Sequence, residues 1–200
     1  VAGKNHAGYP SNSVTLLAQK IIDIRAYDAA ESGALVGNPN YALSNINQWL
    51  NSSASAGNWY SPTHANDVAP TLTTTDRITE YQTRAGFLYN FTDYERNSIL
   101  PTILKVITGS VTNNITAKVF LPSMAEIMGT GNGSDGSSRF EYFSSRSVWT
   151  TLTSQAFTNT TSSIKPEDVT KTWDYWTRNA TSTKVNTISS SGITSDNTAY

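Results

Sequence analysis

Between residues 41 and 52, apolar side chains fall at Ile46, Trp49 and Leu50. This i, i+3, i+4 spacing puts them on one face of a helix, with Asn47, Gln48 and Asn51 towards water. Ser44 or Asn45 is placed to cap that helix. A second helix is expected over 93–100: Thr92 caps it, Asp93 and Glu95 suit its first turn, and Pro101 stops it. Pro122 and Ser123 open a short helical turn that contains Met124, Ile127 and Met128.

Extended segments have a different pattern. Residues 14–18 and 21–27 are short and rich in β-branched side chains, so two strands are expected; one continuous helix is the alternative, since Leu17, Ile21 and Ile24 also form a helical stripe. Residues 103–107 and 117–121 predict strands joined through Thr112, Asn113 and Asn114. Further strands are expected at 139–143, 175–178 and 184–188. Gly33, Gly37 and Pro39 break the polar stretch 28–40, Pro62 and Pro70 punctuate a long irregular stretch ending at Thr75, and 129–138 is a glycine and serine loop. Strands and helices do not alternate regularly and no fixed-period repeat occurs, which points to α+β.

Composition narrows the picture. The 200 residues suffice for one sizeable core, and a single domain over 1–200 is expected. Charged residues make up 14% against a usual figure of about 25%, so Ser, Thr and Asn supply the polar surface. A net charge of -1 leaves no basic footprint for nucleic acid or an anionic membrane. With 0 Cys there is no disulfide, thiolate metal site or cysteine nucleophile. No apolar run is long enough for a membrane span. The start at Val1 and the end at Tyr200 suggest a segment of a longer or processed polypeptide.

Candidate chemistry is sparse. Gly131 to Gly136 matches G-x-G-x-x-G, but a helical turn precedes it and an aromatic run follows it, opposite to what a dinucleotide site needs. The favoured reading is a surface loop; a calcium site with oxygen ligands Asn132 and Asp135 is its alternative, and no other cofactor is expected. His6 and His64 are the 2 histidines, with no chelating neighbour at i+3 or i+4. Trp59, Tyr60, His64 and Asp67 share one loop. Two readings stay open: a glycan pocket made of an aromatic face and polar side chains, or a buried Trp59 anchor with His64 and Asp67 in a capping hydrogen bond, which is favoured. Asp23, Asp28, Glu126, Glu141 and Asp174 are the carboxylates from which a hydrolytic pair would be drawn, but no motif pairs them. There is no G-x-S-x-G elbow, and no catalytic residue is assigned.

Taken in order, Val14-Thr15-Leu16-Leu17, Ile21-Ile22, Tyr27-Asp28, Tyr41-x-x-Ser44-Asn45-Ile46-x-Gln48-Trp49-Leu50-Asn51-Ser52, Trp59-Tyr60-Ser61, Gly86-Phe87-Leu88, Val119-Phe120-Leu121-Pro122-Ser123-x-x-Glu126 and Tyr175-Trp176-x-Arg178 resemble an uncharacterised domain family of Gram-positive bacteria and their phages. That family looks distantly similar to the C-type-lectin-like fold shared with formylglycine-generating enzymes. The resemblance implies a lectin-like mixed fold with short twisted antiparallel sheets, two or three short helices and long loops. The oxidase relatives use cysteines, so their activity does not carry over. Trp49, Phe120, Trp176 and Arg178 are expected as core and turn anchors.

The implied function is a non-enzymatic module of a phage tail, fibre or bacterial surface that binds a host-surface receptor or glycan through loops. The expected location is the virion or the cell surface. The alternative is a structural virion or extracellular fibre component that packs against other subunits or copies of itself and binds no small ligand.

Overall fold

A computed structural model describes residues 1–18, 23–75, 80–129, 135–144, 174–189 and 194–199. The chain is α+β. Strand β1 (Gly3–Lys4) pairs antiparallel with β2 (Val14–Thr15). Helix α1 (Asn45–Leu50), a 3-10 turn (Phe87–Asn90) and α2 (Asp93–Ser98) precede the hairpin of β3 (Thr102–Thr108) and β4 (Val111–Ala117). Then follow α3 (Met124–Met128), a 3-10 turn (Glu141–Phe143) and strands β5 (Tyr175–Ala180), β6 (Val185–Ile188) and β7 (Thr194–Asn197). The main sheet has the order β4-β3-β5-β6-β7. All its neighbours are antiparallel except β3 and β5, which touch in parallel at Thr108 and Ala180. Among the described residues no helix is long and apolar enough to cross a membrane.

Helix α1 buries the expected stripe of Ile46, Trp49 and Leu50. Its polar face does more than meet water. The Gln48 amide donates to Ser61 O at 2.6 Å and accepts from Ser61 N at 2.9 Å, while Asn51 accepts from Lys118 N at 2.8 Å and donates to Val119 O at 2.9 Å. A side-chain amide offers the same donor and acceptor as a peptide, so each stands in for a strand partner. This is why 118–121 leave the sheet, where a strand over 117–121 was expected.

The other departures are equally local. The hairpin turns at Gly109-Ser110, not at Thr112 to Asn114: Thr108 faces Val111, and Gly109 takes φ 59°, which glycine adopts freely. At 139–143 a 3-10 turn replaces the expected strand, since Phe140 and Phe143 both enter the core at helical spacing. Helix α2 stops at Ser98, with Ile99 extended, ahead of Pro101, whose ring disfavours helical backbone at Leu100. Of 14–18, only Val14 and Thr15 are strand. Residues 23–27 are irregular, and the rest of the expected strand 21–27 lies outside the described residues.

Two apolar clusters form the core. One gathers Tyr27, Tyr41, Trp49, Trp59, Tyr81 and Val106; the other gathers Met124, Ile127, Phe140, Phe143 and Ile188. Aromatic polar tips tie the irregular segments to these clusters. Trp49 Nε1 donates to Ala85 O at 2.8 Å, Trp176 Nε1 to Arg25 O at 3.1 Å, and Tyr81 Oη to Ala26 O at 3.0 Å. Each ring thus contributes apolar burial and satisfies a loop carbonyl.

Candidate functional site

One cluster of polar side chains forms where α1 begins. Ser44 caps the helix, accepting the Asn47 N–H at 3.4 Å. Asn45, the first helical residue, donates its backbone N–H to Asp28 Oδ1 at 2.8 Å, and Asn38 N donates to Asp28 Oδ2 at 2.8 Å. The second bond requires the backbone of 37–38 to press against 28–29. A Cβ on Gly37 would lie 2.6 Å from Asp28 O, so only glycine fits there. Asp28 is 0% exposed, and burial pushes its carboxyl up to about 7 against the pull of those two N–H groups.

Around Asp28 stand Glu31, His64 and Asp67. His64 Nε2 lies 2.8 Å from Glu31 Oε1, and Nδ1 lies 2.9 Å from Thr63 Oγ1 and 3.9 Å from Asp67 Oδ2. Asp67 Oδ2 accepts Thr63 N at 2.7 Å, which closes the turn 63–67. The Asn45 side chain bridges both loops: Nδ2 donates to Asp67 Oδ1 at 3.2 Å, and Oδ1 accepts Ala29 N at 2.8 Å. Ligand atoms of Asp28, Glu31 and His64 all lie within 4.8 Å of one another.

Glu31 also lines an open cleft of about 460 Å3, bounded by the 31–43 loop and the two turns β3–β4 and β5–β6. Val36, Asn38, Pro39, Val111 and Thr183 give it a mixed apolar, amide and hydroxyl lining. Val36 and Val111 remain 39% and 55% exposed there, free to meet a ligand.

The expected site residues separate. Trp59 is 4% exposed, stacks on Tyr81 with centroids 5.2 Å apart, and donates Nε1 to Tyr81 O at 3.2 Å. It therefore anchors the core and has no face free for a sugar. Tyr60 is half-buried beside Asp67; burial, then the Asp67 and Asp28 charges, push its hydroxyl up to about 12. His64 and Asp67 join the cluster above. Asn132 lies outside the described residues. Asp135 is buried and serves Arg178 instead of solvent: its Oδ2 is 3.3 Å from Arg178 Nη2.

That contact belongs to a structural node. Arg178 Nε donates to Lys105 O at 3.1 Å, Nη1 to Leu121 O at 3.1 Å and Glu126 Oε2 at 2.6 Å, and Nη2 to Glu126 Oε1 at 2.6 Å. With Asp135, each N–H of the guanidinium has an acceptor. Glu126 also caps α3 through Ser123 N at 2.9 Å and accepts Tyr9 Oη at 2.6 Å. Burial opposes the Arg178 charge, but the Glu126 hydrogen bonds and charges of Glu126, Tyr9 and Asp135 outweigh it and raise its pKa. Asp23 is likewise paired, 2.5 Å from Arg25, whose guanidinium lies over the Trp49 and Tyr81 rings. Among the remaining carboxylates considered for hydrolysis, Glu141 starts a 3-10 turn and Asp174 directly precedes β5.

A family described as Domain of unknown function (DUF6273) matches residues 12–200. The chain belongs to the DUF6273 family. No curated protein and no solved structure matches it. In this DUF6273 member the matched span contains the whole cluster and the cleft. Glu31 and Asn38 are the participants that sequence reasoning passed over. They sit in an irregular stretch with no periodic signal, and Glu31 meets His64 across a separation of 33 residues.

Proposed function

We propose that the protein is a non-enzymatic binding module, with a lectin-like fold, displayed on a bacterial surface or a phage tail or fibre. It meets a host-surface receptor or glycan through the loops around Glu31 and Asn38. The observation that carries this reading is the open cleft of about 460 Å3, where exposed Val36 and Val111 stand beside the half-buried amides of Asn38 and Asn40. Planar amides beside small apolar surfaces suit hydroxyl-rich ligands. Trp59 supports the fold beneath and touches no ligand.

The test is a glycan array with the purified protein, repeated with Val111→Arg, which places a long charged side chain at the cleft without entering the core. A defined set of glycans bound by the natural protein and lost in Val111→Arg supports the reading. No binding by the natural protein, or binding unchanged in Val111→Arg, contradicts it.

One observation favours a second reading, that of a self-assembling structural subunit. Among the described residues strand β4 closes the sheet on one side, with a seven-residue edge to which another copy can add a strand. Sedimentation velocity separates the two: a concentration-dependent polymer supports assembly, and a monomer opposes it.

A further inference from the structure

The geometry points to a binding site for one first-row divalent cation, with zinc as its representative, formed by Asp28, Glu31 and His64. Their ligand atoms, one from each residue, all lie within 4.8 Å of one another. One imidazole and two carboxylates form the mixed nitrogen and oxygen set that suits such ions, whereas calcium and magnesium take oxygen.

Two observations beyond this proximity support a cation. The first is an imbalance of charge. Asp28 is 0% exposed and accepts only neutral backbone N–H groups, and among the described residues no Lys or Arg forms an ion pair with Asp28, Glu31 or Asp67. Three carboxylates thus share one imidazole in a partly desolvated place, where uncompensated negative charge is costly. The second is the Tyr60 hydroxyl. Its oxygen is shut off from solvent and faces the Asp67 carboxylate, so it brings no positive charge to the site.

The site is built for limited adjustment. Zinc holds such ligands at about 2.0–2.1 Å, which places tetrahedral neighbours about 3.3 Å apart. Asp28 is fixed by its two N–H donors, so closure falls to Glu31, whose side chain is 24% exposed and would give up the bond it accepts from Asn38 Nδ2 at 3.2 Å. Binding replaces the hydrogen bond between His64 Nε2 and Glu31 Oε1, and any proton held between them passes to solvent. Three protein ligands leave a fourth position for water. Asp67, held by Thr63 N and Asn45 Nδ2, acts as a positioning residue beside Nδ1.

The experiment uses the full chain without a polyhistidine tag, stripped with chelator, and titrated with zinc chloride by calorimetry, with thermal unfolding followed in parallel. One equivalent is expected to bind and to raise the unfolding temperature. Glu31→Gln and His64→Gln are each expected to weaken binding at least about a hundredfold, beyond the range of losing an outer partner. His6→Gln should leave it unchanged. Circular dichroism of the stripped variants shows whether they are folded, and the partly exposed Glu31 keeps the test sound if His64→Gln unfolds. No zinc binding, binding unaffected by Glu31→Gln, or a preference for calcium that ignores His64→Gln would overturn the assignment. This readout is independent of any glycan, so its failure leaves the cleft reading intact, and the reverse also holds.

Discussion

Replacing Arg178 with Met removes the side chain that joins β5 to α3 and to the segments around Lys105 and Leu121. Met fills much of the volume but donates nothing. Glu126, 0% exposed, keeps its bonds from Ser123 N and Tyr9 Oη, and Asp135, 4% exposed, keeps Ser137 N at 2.9 Å, yet both lose their counterion. Stranding buried charge in this way costs roughly 3–5 kcal/mol. For a chain of this size that is about 6–20 °C in unfolding temperature. Urea unfolding followed by the fluorescence of the 5 Trp residues measures it. Adding Glu126→Gln to Arg178→Met removes one stranded charge and should recover part of the loss, giving a coupling well above the few tenths of a kcal/mol between independent sites. Acid should also narrow the gap between Arg178→Met and the natural protein, because the stranded carboxylates then take up protons. A loss below about 1 kcal/mol, typical of an exposed pair, would refute the assignment of Arg178 as the central tie.

Three further outcomes follow from the packing. His6 is packed between Tyr9 and Phe140 with Nε2 unpartnered, and burial lowers its pKa below 6.5. The unfolded chain therefore binds the proton more readily, so this group's stabilisation is complete above pH 6.5 and is lost as pH falls through the folded value; His6→Phe should flatten that part of the stability curve, and an unchanged slope would exclude His6 as its source. Gly37→Ala should force the 37–38 backbone off Asp28, costing about 1–3 kcal/mol in chemical unfolding and weakening zinc binding, whereas full stability would mean that the close approach is not required. Trp59→Ala should cost about 3–5 kcal/mol, while Trp59→Phe, which keeps a ring against Tyr81, should cost clearly less; equal losses would contradict the stacked geometry.

What could be read from the sequence is what local spacing encodes. The stripe of α1, the Thr92 cap of α2 and the Ser123 start of α3 each lie within a few residues of their cause. The hairpin turn was expected at Thr112 to Asn114 on the turn preference of Asn, whereas the chain reverses at Gly109-Ser110 and Asn113 and Asn114 lie within β4. The expected strand at 117–121 was displaced by a side chain 67 residues away, the Asn51 amide on Lys118 N. The site is harder for the same reason. Asp67 and His64 were visible as a loop pair, yet their partners Asp28 and Glu31 reach them through irregular backbone, where no period links position to direction. Trp59 reads identically whether buried or exposed, and only the ring of Tyr81 decides it.

The most direct test is a footprint of the bound ligand. Amide hydrogen exchange on the protein alone and with the tightest glycan from the array should show protection confined to 31–43, 109–111 and 181–184, the segments that bound the cleft. Protection centred on other segments, or none at saturating ligand, would contradict the proposal that these loops carry the function.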